Sequence, residues 1–410
     1  LTEAAARLRA PALLTVLLAG VATLGPFSVD TYLPAFPAIE AELGATPLQM
    51  QQTIAAYLVG FGVMMLFHGA LSDALGRRPV ILGGLALFVL ASVGCALASS
   101  IETLLAMRVV QGVSAGGGIV VGRAIVRDAH AGDDAQRVLS HVMLIFGIAP
   151  ALAPVLGGLL VTSFGWQSIF WFLAAFGVLL LVLCAARLPE THPPPARQRF
   201  GVMTLLRSYR SIAGHPRYVL LVLAVAFNFV GYFLYVVAAP VIVYTHLGLG
   251  ATDFAWLLVP GTAGLMLGAW LSGRAAGRIP PLRAVGLGYA IMSCACLYNL
   301  ALHALVPPGL PWSVLVHMFY AVGMALAMPS ATLLALDYFP RARGAAASVQ
   351  GCTQSLVCAA GAVLLVPLLG GAMLHLAYGM TAAMLAGALC WLAYLRLARR
   401  GRRAPARPGP

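Results

Sequence analysis

The chain contains no lysine, and only 12 of its 410 residues are acidic. Charged residues total 9% against 61% hydrophobic ones, and the mean hydropathy is +0.93. A soluble globule carries roughly a quarter of its residues as charges, so this composition excludes one. Cysteine is scarce and scattered. Cys95, Cys184, Cys294, Cys296, Cys352, Cys358 and Cys390 lie within or at the ends of apolar stretches. None has histidine or acid at metal-ligand spacing, and Cys294 and Cys296 lack the two-residue gap of a redox pair. They read as small packing residues, and no metal or cofactor is expected. A nucleotide-binding loop is also missing, which excludes ATP as the direct energy source. The first apolar stretch is too long for a signal-peptide core and has no small-residue cleavage site, so it is expected to stay as a membrane helix.

What is abundant is apolar sequence punctuated by arginine. About twelve hydrophobic stretches satisfy the roughly 20 residues needed to span hydrocarbon. Helices are expected near 12–36, 47–71, 80–99, 103–126, 137–163 and 166–187, then 217–245, 253–273, 282–304, 312–337, 343–369 and 372–396. All 25 basic residues are arginine, and 24 of them fall in alternate connections. These include Arg7 and Arg9 in the amino-terminal tail, Arg77 and Arg78 after the second stretch, and Arg123, Arg127 and Arg137 after the fourth. Further arginines run from Arg187 to Arg217, then Arg274 to Arg283, Arg341 and Arg343, and Arg396 to Arg407. The positive-inside rule then puts both termini in the cytoplasm. The net charge of +13 is therefore read as orientation and contact with anionic lipid, not as affinity for nucleic acid.

A Pro-rich stretch from His192 to Arg199 marks a long central connection. The domain reading is residues 1–190 as one six-helix bundle, 191–216 as a cytoplasmic linker, 217–396 as a second bundle and 397–410 as a basic tail. Gly44-Ala45-Thr46 recurs as Gly250-Ala251-Thr252, and Leu71-Ser72 with Gly76-Arg77 recurs as Leu271-Ser272 with Gly277-Arg278. Such weak internal repeats around a midplane site typify secondary transporters.

Two charges are expected well within the membrane, Asp30 on the first helix and Arg108 on the fourth, at matching depths. A lone charge there costs several kcal/mol, so pairing or a water-filled cavity is expected. Asp30 reads either as a proton carrier, balanced between desolvation and Arg108, or as half of a static ion pair. The first reading is preferred because intramembrane ionisable groups mark transport routes. Arg108 is left between proton coupling and positioning. Candidate substrate contacts are the aromatic or polar residues within helices: Tyr57, Phe61, Gln111, Asn228, Tyr232, Tyr235 and Gln354. His68, His141 and His317 have no nearby acid and read as packing residues, and so do Asp337 and Tyr338.

The segment Gly69-Ala70-Leu71-Ser72-Asp73-Ala74-Leu75-Gly76-Arg77-Arg78-Pro79 resembles the signature loop of the major facilitator superfamily. Arg108-Val109-Val110-Gln111-Gly112 resembles that family's fourth-helix motif. The run from Gly147 through Pro150 and Pro154 to Gly157-Gly158 resembles its fifth-helix antiporter motif, with Ala153 where glycine usually stands. Leu188-Pro189-Glu190-Thr191, Asp30-Thr31-Tyr32-Leu33-Pro34 and Arg127-Asp128 are similar to twelve-helix drug:proton antiporters of the bicyclomycin/chloramphenicol-resistance type.

The resemblance implies an all-α membrane protein of two pseudo-symmetric six-helix bundles, acting as a monomer in a bacterial inner membrane. It implies a cytoplasmic gate in which Asp73, with Gly76, Arg77, Arg78 and Asp128, latches onto Arg343-Gly344 at the start of the eleventh helix. The proline-kinked fifth helix would supply a dry contact that limits proton leak. The expected function is export of small lipophilic or cationic drugs in exchange for protons. Within the same fold the rivals are an exporter of one metabolite or a proton-coupled importer. An intramembrane enzyme would need clustered acids at a membrane face, and Asp133-Asp134 in a loop is the only candidate. A passive channel would need no buried Asp and Arg.

Overall fold

Apolar surroundings offer the backbone no water, so every stretch must satisfy its own hydrogen bonds by coiling. The structure, a computed structural model, describes residues 11–130, 132–197 and 200–403. Arg7, Arg9, Arg199, Arg407 and the side chain of Asp133 lie outside the described residues. All regular elements among those described are helical.

The first half comprises α1 (Pro11–Asp30), α2 (Phe36–Leu43), α3 (Pro47–Leu75), α4 (Arg77–Ala96), α5 (Ile101–Ala115), α6 (Gly117–Ala129), α7 (Gly132–Phe164) and α8 (Gln167–Arg187). A short α9 (Val202–Ala213) follows in the central connection. The second half comprises α10 (Pro216–Val237), α11 (Ala255–Ala275), α12 (Pro281–Leu305), α13 (Trp312–Leu336), α14 (Arg343–Leu369) and α15 (Met373–Arg403). Together they make 12 segments long and apolar enough to cross a membrane, with α1 and α2 forming one and α5 and α6 another.

Local chemistry sets the helix ends. Thr46 caps α3 through a reciprocal box with Gln49, and Pro47 takes the first helical position. Ser100 accepts from the Thr103 amide to start α5 at 3.2 Å. Gly76 joins α3 to α4 at φ 103, a conformation side chains rarely adopt.

The first span differs from the continuous helix expected over 12–36. It stops at Asp30, makes a short 3-10 turn at Leu33–Ala35, and restarts as α2. The cause is Pro34, which has no N–H to give the Asp30 carbonyl four residues back, and Pro37 does the same to Leu33.

Within the first half, α3 crosses α5 and α1 lies along α7; in the second half, α11 and α12 both pack on α13. Glycines allow these close crossings. A Cβ on Gly112 would lie 2.8 Å from the Tyr57 carbonyl carbon, and one on Gly60 would lie 3.0 Å from the Val113 nitrogen.

The halves meet along two seams, α3 with α14 and α7 with α11. At the arginine-free ends they are tied together. Tyr244 donates to the Pro34 carbonyl at 2.7 Å, and Gln51 donates to the Val237 carbonyl at 3.0 Å. Gly158 of α7 rests on the backbone of Ala251 and Thr252. At the arginine-rich ends Gly344 faces open space. The halves are thus tied together at one face, while at the other Gly344 is left uncovered.

Candidate functional site

Asp30 is the last residue of α1, at the break made by Pro34. Only 6% of it is exposed, yet its carboxylate makes no hydrogen bond or ion pair among the described residues. The Tyr57 phenol from α3 and the Tyr232 phenol from α10 of the other half are close enough to feel its charge. The acid is therefore buried within the protein rather than turned toward lipid, within electrostatic reach of one tyrosine from each half.

Arg108 is fully buried on α5 and does not pair with Asp30, so the static ion pair, the alternative reading of these two charges, is not formed. Its Nη1 donates to the Ser28 carbonyl at 3.0 Å and to Gln111 Oε1 at 2.6 Å. Its guanidinium carbon lies 4.8 Å from the Tyr32 ring centre and 4.6 Å from that of Tyr57. The physical reason is the helix break. Of the last carbonyls of α1, that of Phe27 takes the Thr31 amide, that of Ser28 is left to Arg108, and together they carry the negative end of the helix dipole. Arg108 thus caps a half-helix and lies against two aromatic faces, leaving Asp30 without a counter-charge.

The substrate candidates separate into two groups. Tyr57 and Tyr232 lie within electrostatic reach of Asp30, and Phe61 lies parallel to Tyr57 at 6.1 Å. Gln354 is half-buried on α14 beside the α3 seam and makes no side-chain hydrogen bond. The others are turned inward, contrary to expectation. Gln111 is fully buried, gripping Arg108 and donating to Ser92 at 2.8 Å. Asn228 donates to Tyr289 at 3.0 Å and lines a cavity of about 10 Å³ inside the second bundle. Tyr235 accepts from Asn299 at 2.8 Å, also inside that bundle.

His317, read from sequence as a packing residue, is packed among aromatic rings. Its ring is fully buried on α13 and stacks on Tyr232 at 4.4 Å and 15°, and on Tyr235 at 5.6 Å and 12°. Neither ring nitrogen has a partner. A histidine three residues before Tyr320 on an apolar helix carries no sequence signal of this, because Tyr232 and Tyr235 come from another helix.

At the arginine-rich end the expected latch is not made. Asp73 pairs with Arg77 in its own half, and Arg343 pairs with Asp337 at 2.8 Å. Arg77 also binds Asp128 at 3.1 Å and Ser72 at 2.6 Å, so Asp128 joins the loop cluster while Arg127 has no part in it. Each acid takes a guanidinium of its own half. Glu190, not singled out from sequence for this role, organises the loop. Its two oxygens accept the Arg77 and Arg78 amides at 3.0 and 3.3 Å, at the start of α4. Arg78 donates to the Ala185 carbonyl at 2.6 Å. In the fifth span, Pro150 and Pro154 lie inside α7. Gly157 sits 2.8 Å, by its absent Cβ, from the Thr31 carbonyl carbon, next to the break. A Cβ on Gly147 would meet open space, whereas Ala149 and Ala153 in the middle of the motif are buried.

Residues 18–362 match the Major Facilitator Superfamily. The chain belongs to that superfamily. It is a secondary transporter rather than an enzyme, and its twelve spans and bacterial relatives make it a multi-pass inner-membrane protein. It is 32% identical over 342 residues to "Uncharacterized MFS-type transporter YdgK" of Bacillus subtilis (strain 168), covering 82% of this chain and 84% of that one. It is 28% identical to the Haemophilus influenzae "Bicyclomycin resistance protein homolog", covering 83% and 85%. To "Multidrug resistance protein MdtL" of Escherichia coli it is 45% identical over 172 residues, 42% of this transporter and 44% of that one. Among solved structures, it resembles a bacterial homolog of the human lysosomal transporter Spinster, inward-facing and unoccupied, with a TM-score of 0.74 at 19% identity over 97% and 99% of the chains.

Proposed function

We propose that this transporter exports small lipophilic or cationic drugs from the cytoplasm in exchange for protons moving inward. The observation that carries the reading is the Asp30 carboxylate, buried at the broken end of α1 with no hydrogen bond or ion pair among the described residues. An uncompensated charge at that depth costs several kcal/mol, so a proton or a cationic cargo must neutralise it. Because one carboxylate cannot serve both, the two exchange. Arg108 acts as a positioning group: it holds the end of α1 and leaves the acid free. Phe61, half-buried beside Tyr57, gives the cargo an aromatic face.

The arginine-rich face is assigned to the cytoplasm by its charge. In the arrangement described above, drug enters from that face and releases the Asp30 proton there. Rocking about the two seams then opens the other face, and Asp73 meets Arg343 as the cytoplasmic side closes. The scheme needs a single chain, no cofactor and no nucleotide. The names of the relatives, resistance to bicyclomycin and to multiple drugs, support drugs as cargo.

The test uses inverted vesicles with an imposed proton gradient. Drugs from a broad panel are added, and proton release is recorded for the wild type and Asp30→Asn. The expected result is drug-triggered release that vanishes in the variant. Release that persists in Asp30→Asn refutes the role of the acid; silence across the panel favours an exporter of one metabolite.

A further inference from the structure

The connection between the bundles reads in sequence as a Pro-rich linker, but it contains α9, whose sides are unlike. Leu205, Tyr209 and Ile212, at helical spacing, turn toward the protein. Phe200, Val202, Met203 and Leu206 are 40%, 46%, 62% and 48% exposed. Arg207 and Arg210 are exposed beside them and make no hydrogen bond or ion pair. The Tyr209 hydroxyl donates to the Leu66 carbonyl, and α9 also packs on α14. Since α3 and α14 are the two walls of one seam, α9 lies across the joint between the halves.

Depth identifies what covers the exposed side. Leu66 is nine residues inside the end of α3 at Leu75, about 14 Å at 1.5 Å per residue. With 29 residues, α3 is about 44 Å long against about 30 Å of hydrocarbon, an overhang of about 7 Å at each end. Tyr209 therefore reaches below the headgroups, and α9 lies level with them. An apolar side at that depth meets acyl chains, and arginines along its edge meet phosphates.

We infer that α9 is a lipid-anchored strap, held in the leaflet by anionic headgroups on Arg207 and Arg210 and fastened to the seam by Tyr209. The inference rests on the cytoplasmic assignment of the arginine-rich face, and on neither the drug nor the proton. Anionic lipid would thereby favour the seam as it stands here.

The test follows amide exchange over residues 202–213 of the full chain in phosphatidylcholine nanodiscs with and without phosphatidylglycerol, with exchange in α12 as the folding control. Phosphatidylglycerol is expected to slow α9 exchange about 30-fold, the effect of two arginines at an anionic surface. Arg207→Gln/Arg210→Gln should exchange equally in both lipids. Tyr209→Phe should exchange faster in both while keeping the ratio. Equal wild-type exchange in the two lipids, or a wild-type ratio in the double variant, overturns the proposal. So does protection that rises with protein concentration in either lipid, which would assign the face to a second copy. Drug-triggered proton release is read separately, so its failure sinks the exchange scheme and leaves the lipid ratio standing.

Discussion

Substituting Gly158 by alanine should shift the transporter between its two states. The added methyl would stand 2.9 Å from the Ala251 carbonyl carbon and 3.0 Å from the Thr252 Cα, with backbone on both sides and no side chain to yield. Overpacking of this kind costs about 1–3 kcal/mol. The contact joins the two halves at the arginine-free face, so the cost falls on the state described here and is relieved when that face opens. The equilibrium should move toward the opposite state by about 5- to 150-fold.

Gly157→Ala is the internal control. Its methyl would press on Thr31 in the same half, at 2.8 Å from the carbonyl carbon. Both states share that contact, so the variant should melt earlier without changing the ratio of states. Spin labels at Leu75 and Arg341, in a background with the cysteines replaced, report the width of the arginine-rich opening. The short-distance population should grow in Gly158→Ala alone. An unchanged distribution in a normally folded Gly158→Ala, or an equal shift in Gly157→Ala, refutes the reasoning.

Three other perturbations follow from the site. Glu190→Ala removes the acceptor of two amides at the start of α4 and should cost about 0.5–2 kcal/mol in thermal unfolding, as a lost helix cap does. Arg108→Gln loses two aromatic faces and the Ser28 carbonyl, and should destabilise the fold by about 2–4 kcal/mol, read from denaturation in detergent. His317→Phe keeps the stack on Tyr232 while deleting two partnerless buried nitrogens. It should raise stability by about 1–3 kcal/mol, and a lowered melting temperature would show that those nitrogens have partners.

The motifs around Asp73 and Asp30 were legible because each is contiguous, and contiguous residues share a loop or a helix end. Glu190 illustrates the limit. It lies 113 positions from Arg77, and its role as the cap of α4 is set by where α8 delivers it. Gln111 and Asn228 look like substrate contacts because polar residues on apolar helices are rare. Which side of the helix faces the cavity depends on rotation within the bundle, and that rotation turned both inward. The same holds for Tyr235 and for the stack on His317.

Composition and the spacing of arginine were enough to define twelve helices, the plane they cross and the face that bears the charge, because hydrocarbon imposes length and polarity on each segment separately. The end of α1 at Asp30 was not read from Pro34, because a proline can also sit inside a helix, as Pro26 does in α1 and Pro150 does in α7. The partner of Arg108 was decided only in three dimensions. A guanidinium between a bare helix end and a carboxylate takes whichever the packing presents, and the crossing of α5 over α3 at Gly112 presents the helix end. The same packing left Asp30 buried without a counter-charge.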